Sequence, residues 1–180
     1  MANNVTLPGT GNIVESLDVG GGVERQVVMT APTTDVEVIP NVTASIYPAG
    51  GVIGGIITFP NMLAPVWFNG ILQSITVKFK GTVVTGAINV AIFQARPASG
   101  TYTDHAAPTW NAADMVSLLG VYQLTTPQSP LGTMTIYNLD SIGKALVSNS
   151  QSLFVVVTVS GTPTPASTSD FSLELAVLPG

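Results

Sequence analysis

The run Leu153-Phe154-Val155-Val156-Val157-Thr158-Val159 limits what this chain can become more than any other stretch. Successive β-branched and aromatic side chains fit a pleated strand and lose rotamer freedom in a helix. Without polar alternation neither face suits water, and an exposed strand of this kind templates aggregation. The run therefore reads as a central strand covered on both faces. The remainder of the chain has to supply that cover.

Further strands follow from a period of two. In Gly70 to Lys80, one face carries Ile71, Gln73, Ile75, Val77 and Phe79; the other carries Leu72, Ser74, Thr76, Lys78 and Lys80. That alternation predicts a strand with one side on a core. Gly86 to Arg96 is apolar on both faces, with Ile88, Val90 and Ile92 opposite Ala87, Ala91 and Phe93. It is expected inside a sheet, joined to the strand before it by a hairpin-like connection at 81–85. Shorter strands are expected at 26–30, 35–39, 52–59, 121–125, 133–137 and 171–178. Within 52–59, Gly54 and Gly55 predict a bulge or a close backbone approach.

One short helix is expected at 112–119. Asn111 can cap it, Asp114 favours its first turn, Met115, Leu118 and Leu119 fall at helical spacing, and Gly120 ends it. Residues 140–147 read as a single helical turn. With 18 Gly and 13 Pro punctuating short strands, the pattern predicts an all-β fold: an antiparallel β-sandwich, jelly-roll-like, over residues 26–180. Residues 1–25 differ. They hold turn-rich Val5-Thr6-Leu7-Pro8-Gly9-Thr10-Gly11-Asn12 and the run Gly20-Gly21-Gly22, and they read as an extended N-terminal segment. It is either a disordered tail or an arm that orders on a neighbouring subunit.

Composition removes several functions. The chain has no Cys and one His, His105, which excludes disulfides, thiol catalysis, Cys-ligated metals and a multi-histidine metal site within one chain. Five basic residues within a net charge of −5 leave no basic stripe for nucleic acid. No secretion signal opens the sequence, and the apolar stretch 50–59 is too short to span a bilayer. Charged residues are only 8% of the chain, against about 25% in ordinary soluble domains. Either Ser, Thr, Asn and Gln keep such a surface wet, or other subunits cover it. Interface cores are poor in charge, which favours cover by subunits.

Catalytic sets are not visible. A Ser-His-Asp arrangement would have to use His105, beside Asp104, and no G-x-S-x-G elbow exists. Asp35 and Glu37 share a strand face, and Glu15 and Asp18 lie in the N-terminal segment; two-residue spacing suits a solvated strand face better than glycosidase chemistry. Gly9-Thr10-Gly11 and Gly143-Lys144 fail as nucleotide or phosphate loops. No calcium-loop pattern occurs. No catalytic residue, metal or cofactor is expected. The remaining candidates are the aromatics Trp67, Tyr102 and Trp110: exposed, they can stack on sugars or anchor an interface, and otherwise they plug the ends of the sandwich, the reading that Trp67 favours.

Several stretches carry a resemblance. Val5-Thr6-Leu7-Pro8-Gly9-Thr10-Gly11 followed by Asp18-Val19-Gly20-Gly21-Gly22 resembles the opening of many virion proteins of tailed bacteriophages. The block from Tyr47 to Asn61 is similar to a second stretch of those proteins, as are Gly70 to Val77 and Ala87 to Pro97 with Thr103-Asp104. The chain departs from that family at 81–85, where a more polar hairpin is usual, and at Gln94, where Asp is usual. The resemblance implies a structural, non-enzymatic capsid decoration (cement) protein on the virion exterior, made in the host bacterial cytoplasm. Its implied partners are the major capsid protein and copies of itself, most often around a threefold axis, with no nucleic acid and no membrane. In that reading Val5, Leu7, Pro8, Ile13 and Val14 are the candidate capsid-contact residues of the arm. The alternative is a head-fibre base or a tail or baseplate component that binds host glycans.

Overall fold

The computed structural model describes the backbone of residues 4–6, 13–18, 24–28, 33–80, 86–131 and 134–180, and the side chains of 33–80, 86–127 and 134–180. Three strands come first: β1 (Asn4–Thr6), β2 (Ile13–Asp18) and β3 (Glu24–Val28), paired antiparallel in that order. The stretch expected as an extended arm therefore contains strands that pair with one another. The side chains of Val5, Leu7, Pro8, Ile13 and Val14 lie outside the described residues.

The following elements are β4 (Thr34–Val38), β5 (Val52–Phe59), β6 (Asn69–Phe79), β7 (Ile88–Phe93), α1 (Ala112–Met115) and β8 (Leu118–Leu124). After them come β9 (Pro127–Leu131), β10 (Met134–Leu139), β11 (Lys144–Val147), β12 (Leu153–Val159) and β13 (Phe171–Pro179). They form two antiparallel sheets, β4-β13-β6-β10-β9 with β11 also on β6, and β5-β12-β7-β8. The inward faces share one core, including Phe59, Phe79, Phe171, Ile75, Leu173, Val155 and Tyr137, all fully buried. The fold is an all-β sandwich. Setting aside β9 and β11 and numbering β4 to β13 from 1 to 8, the sheets run 1-8-3-6 and 2-7-4-5.

β12 lies between β5 and β7, as its nearly continuous run of β-branched and aromatic residues requires. Leu153, Val155, Val157 and Val159 enter the main core, while Val156, also fully buried, enters a second cluster on the other side of the sheet. β7 is likewise interior, between β12 and β8. The connection expected as hairpin-like at 81–85 falls outside the described residues; β6 and β7, the strands on either side of it, lie in different sheets and do not pair with each other.

Two bulges set which residues face inward. In β5 the register passes from Val156↔Ile56 to Val157↔Ile53, leaving Gly54 and Gly55 as extra residues at φ +71° and +69°. Only glycine takes that region cheaply, so the pair marks the bulge that the sequence predicts. In β6 the register passes from Ala176↔Ser74 to Val177↔Leu72, and Gln73 is the extra residue. One extra residue exchanges the faces beyond it. Ile75, Val77 and Phe79 face the core as expected, but Leu72 is buried and Ile71 is 38% exposed, the reverse of simple alternation.

The strand beside β6 breaks opposite this bulge. β10 ends at Leu139, Ile142 N–H donates to the Gln73 carbonyl (3.0 Å), and β11 resumes the pairing. The helical turn expected at 140–147 is thus a break with Ser141 and Gly143 at positive φ, followed by a strand. The helix is also shorter than expected. It stops at Met115 because Leu118 already pairs with Phe93 and Gln94 N–H donates to the Ser117 carbonyl (2.8 Å). Gly120 lies inside β8 rather than ending a helix. β9, with Pro127 and Pro130, lies outside the expected strands; it is the outermost strand of its sheet, where a missing N–H costs least.

Candidate functional site

The outer face of β5-β12-β7-β8 is partly roofed by residues 94–117. Val52, Ala91, Phe93, Tyr102 and Val156 form the buried contact, with Ile56, Met115, Leu118 and Phe154 packed around it. Asn111 caps α1 as expected, its side chain accepting from Ala113 N–H at 2.9 Å. A four-residue helix has little stability of its own. A carboxylate holds the roof together.

Asp114 is 6% exposed. Its Oδ1 accepts from the N–H groups of Ala98 and Ser99 (both 3.0 Å), and its Oδ2 accepts from Gly100 N–H (2.7 Å) and the Tyr102 hydroxyl (2.9 Å). Burial pushes this carboxyl's pKa up, but the donated bonds from Ser99, Ala98, Gly100 and Tyr102 outweigh it and bring the value to about 2. Gly100 is required here, since a Cβ would collide with the Thr109 carbonyl and the Tyr102 ring. Thr101 and Thr109 exchange backbone hydrogen bonds (3.1 and 2.9 Å), closing the loop that leads to Trp110.

Tyr102 is 6% exposed, so it is not one of the exposed aromatics the sequence suggested. Its edge meets the Trp110 ring at 5.3 Å, and its other neighbour is Phe93 at 6.5 Å. Burial and the Asp114 hydrogen bond push its phenol up to about 12. Trp110, braced in this way, stays 45% exposed. Beneath it is a recess of about 320 Å³. Its apolar lining is the buried Ala91 and Val156, with Met115, Leu118 and the exposed Val121.

Asn89 and Thr158 bring the polarity to the recess. They are the one polar residue in β7 and the one in β12, and the register sets them side by side. Asn89 also pairs with Gln123 on β8, whose side-chain amide donates to Asn89 Oδ1 at 3.1 Å. A neutral polar row thus crosses three strands beside an exposed indole. The sequence signal for it was present: a single polar residue interrupting each of two apolar strands.

The other candidates are placed elsewhere. Trp67 is 64% exposed on the turn before β6, in the opposite sheet. Asp104 does not orient His105. It accepts from Thr43 N–H (2.8 Å), Thr43 Oγ1 (2.6 Å), the Tyr47 hydroxyl (2.6 Å) and Gly54 N–H (2.6 Å). Burial raises its pKa, and these donors together lower it below the ordinary value. Tyr47 is driven well above the usual phenol range by burial and by Asp104. His105 Nε2 is 2.7 Å from the Ile46 carbonyl and 3.1 Å from Ser45 Oγ, and its ring meets Tyr47 edge-on at 4.9 Å. That geometry locks a loop.

Asp35 and Glu37 share the outward face of β4. Glu37 accepts from Ser172 Oγ (2.6 Å) and Lys78 Nζ (3.1 Å), and Lys78 also donates to Glu174 (2.8 Å). The Ser172 hydrogen bond, then Lys78, holds Glu37 below its usual pKa. Among the described residues no three His, Asp or Glu side chains gather to hold a metal ion, and no helix is long and apolar enough to cross a membrane. No protein-family model matches the chain, and no curated protein matches its sequence.

Proposed function

We propose that the chain is a structural protein of a tailed-phage particle, of the capsid-decoration type, without enzymatic activity. It attaches to the major capsid protein and to copies of itself through uncharged surfaces, most simply as a trimer on the shell exterior. The observation that carries the reading is the strand order 1-8-3-6 against 2-7-4-5. We read it as a jelly roll, an architecture that viral shell proteins share with lectins and cupins. Fold alone does not choose among these, and the surface supplies the second argument. Charged residues are scarce, while Val66 (70%), Trp67 (64%), Val147 (64%) and Val116 (82%) are left open to solvent. Apolar side chains exposed on so weakly charged a surface favour burial against neighbours.

Trp110, half-open beside Asn89 and Thr158, favours the second reading, a fibre-base or tail component that binds host glycans. The test of the first is cosedimentation of the purified full-length chain with undecorated shells of the phage capsid protein. Saturable binding at a fixed ratio to capsid protein is expected. Failure to bind shells of any maturation state would overturn it.

A further inference from the structure

We propose that the recess under Trp110 is a binding site for an uncharged N-acetylated sugar unit. The proposal deepens the glycan-binding reading and rests on it, independently of attachment to a shell.

The chemistry of the lining selects the occupant. No ionisable residue lines the recess, so an acidic sugar or a phosphate would lose its water without gaining a counter-charge. Asp114, the carboxylate nearest in sequence, has both oxygens engaged by Ala98, Ser99, Gly100 and Tyr102. A plain hydrocarbon is a poor match as well, because it would strip water from Asn89 and Thr158 and return no hydrogen bond. An unmodified hexose has the opposite defect. Its hydroxyls would face the apolar side chains of Ala91, Val156, Met115 and Leu118.

An N-acetylhexosamine satisfies both halves. The C–H face of its ring stacks on the open side of Trp110. Its acetamido methyl packs against the apolar lining, Ala91, Val156 and Met115 among it. Its hydroxyls meet the Asn89 amide and the Thr158 hydroxyl. The only hydrogen bond on the Asn89 side chain among the described residues is the one accepted from Gln123, which leaves its NH2 group to donate. At about 320 Å³ the recess sits at the small end of ligand pockets, which span about 300–1,000 Å³, and it suits one sugar ring. The Trp110–Tyr102–Asp114 chain of contacts holds the stacking surface in place before any ligand arrives.

The test compares two trisaccharides that differ only in the acetamido group, triacetylchitotriose and cellotriose. The chain has two tryptophans, so the Trp67→Phe variant makes Trp110 the sole indole reporter in a fluorescence titration. Saturable binding of triacetylchitotriose, with cellotriose weaker by roughly tenfold or more, is the expected result. Asn89→Ala and Ala91→Leu should each weaken binding by a similar factor, and a thermal melt identifies any variant that fails to fold. Equal affinity for both sugars would overturn the N-acetyl assignment and leave the glycan reading standing. Glycan binding that survives both Trp110→Ala and Ala91→Leu would overturn the site and also spare that reading. No saturable binding by either trisaccharide overturns the proposal, and a blank screen of the same protein on a glycan array would take the reading with it.

Discussion

The Tyr102 hydroxyl donates to the Asp114 carboxylate at 2.9 Å, across 12 residues of sequence. This one contact joins the loop after β7 to α1 and sets the Tyr102 edge against Trp110. Because Asp114 also gathers three backbone N–H groups from residues 98–100, the roof over the outer sheet depends on it.

The first prediction concerns pH. Asp114 has its pKa lowered from the usual 3.8 to about 2, so its contribution to stability is complete above the unfolded value and is lost as pH falls through the folded one. Thermal melts of Asp114→Asn should show a deficit against the parent at neutral pH that closes between pH 3.8 and about 2. Tyr102 has the opposite sign. Its pKa is raised from 10.0 to about 12, so its contribution is complete below pH 10 and fades as pH rises through 12. Tyr102→Phe should remove that alkaline dependence.

A second prediction contrasts two glycines at positive φ. Gly54 has φ +71°, and a Cβ there would lie 2.7 Å from Pro40 Cβ and Cγ; Gly143 has φ +64° and open space. Gly143→Ala should cost about 1–2 kcal/mol for the left-handed backbone alone. Gly54→Ala should cost more, by a further 1–3 kcal/mol or so, because it also overpacks Pro40 and displaces the N–H that Asp104 accepts. Urea denaturation of the two variants measures the difference.

A third prediction weighs the Lys78 ladder against the core. Lys78 bridges Glu37 and Glu174, and the three side chains are 26%, 42% and 33% exposed. Solvent screens charges so placed, so Lys78→Gln should cost less than about 1 kcal/mol, and the loss should shrink in high salt. Phe171→Ala, at a fully buried ring 5.1 Å from Phe79, should cost about 3–5 kcal/mol. Equal losses would mean that the outer sheet face is far less solvated than the exposures imply.

What could be read from sequence divides by range. β12 appears at the residues its composition marks, β7 is interior, and Gly54-Gly55 bulges. Each depends on the residues of one strand. The register shift at Gln73, which buries Leu72 in place of Ile71, depends on pairing with Ala176 and Val177 of β13, far along the chain, and polar Gln73 gives no local sign of it. In sequence Asp104 is only the neighbour of His105, and Asp114 only a first-turn helix residue. Their roles come from donors that only the folded chain gathers. Tyr102 is buried for the same reason, since its cover is the second cluster and Asp114 is its partner. Trp110 is visible in the sequence as a candidate aromatic, but its neighbours Asn89 and Thr158 come from strands β7 and β12.

A fourth prediction addresses the N-terminal strands. Removing residues 1–28 takes away β1, β2 and β3 whole, whereas a cut after residue 25 would divide β3. The shortened chain, which keeps both sheets of the sandwich, should still melt cooperatively by circular dichroism and should no longer sediment with phage shells. Full shell occupancy by the shortened chain would contradict a role for this segment in attachment.

The most direct measurement is an electron-microscope image of intact phage particles carrying a gold label on this chain. Label regularly spaced over the outside of the head is the predicted result. Label confined to the tail or fibres, or particles without label, would contradict the account.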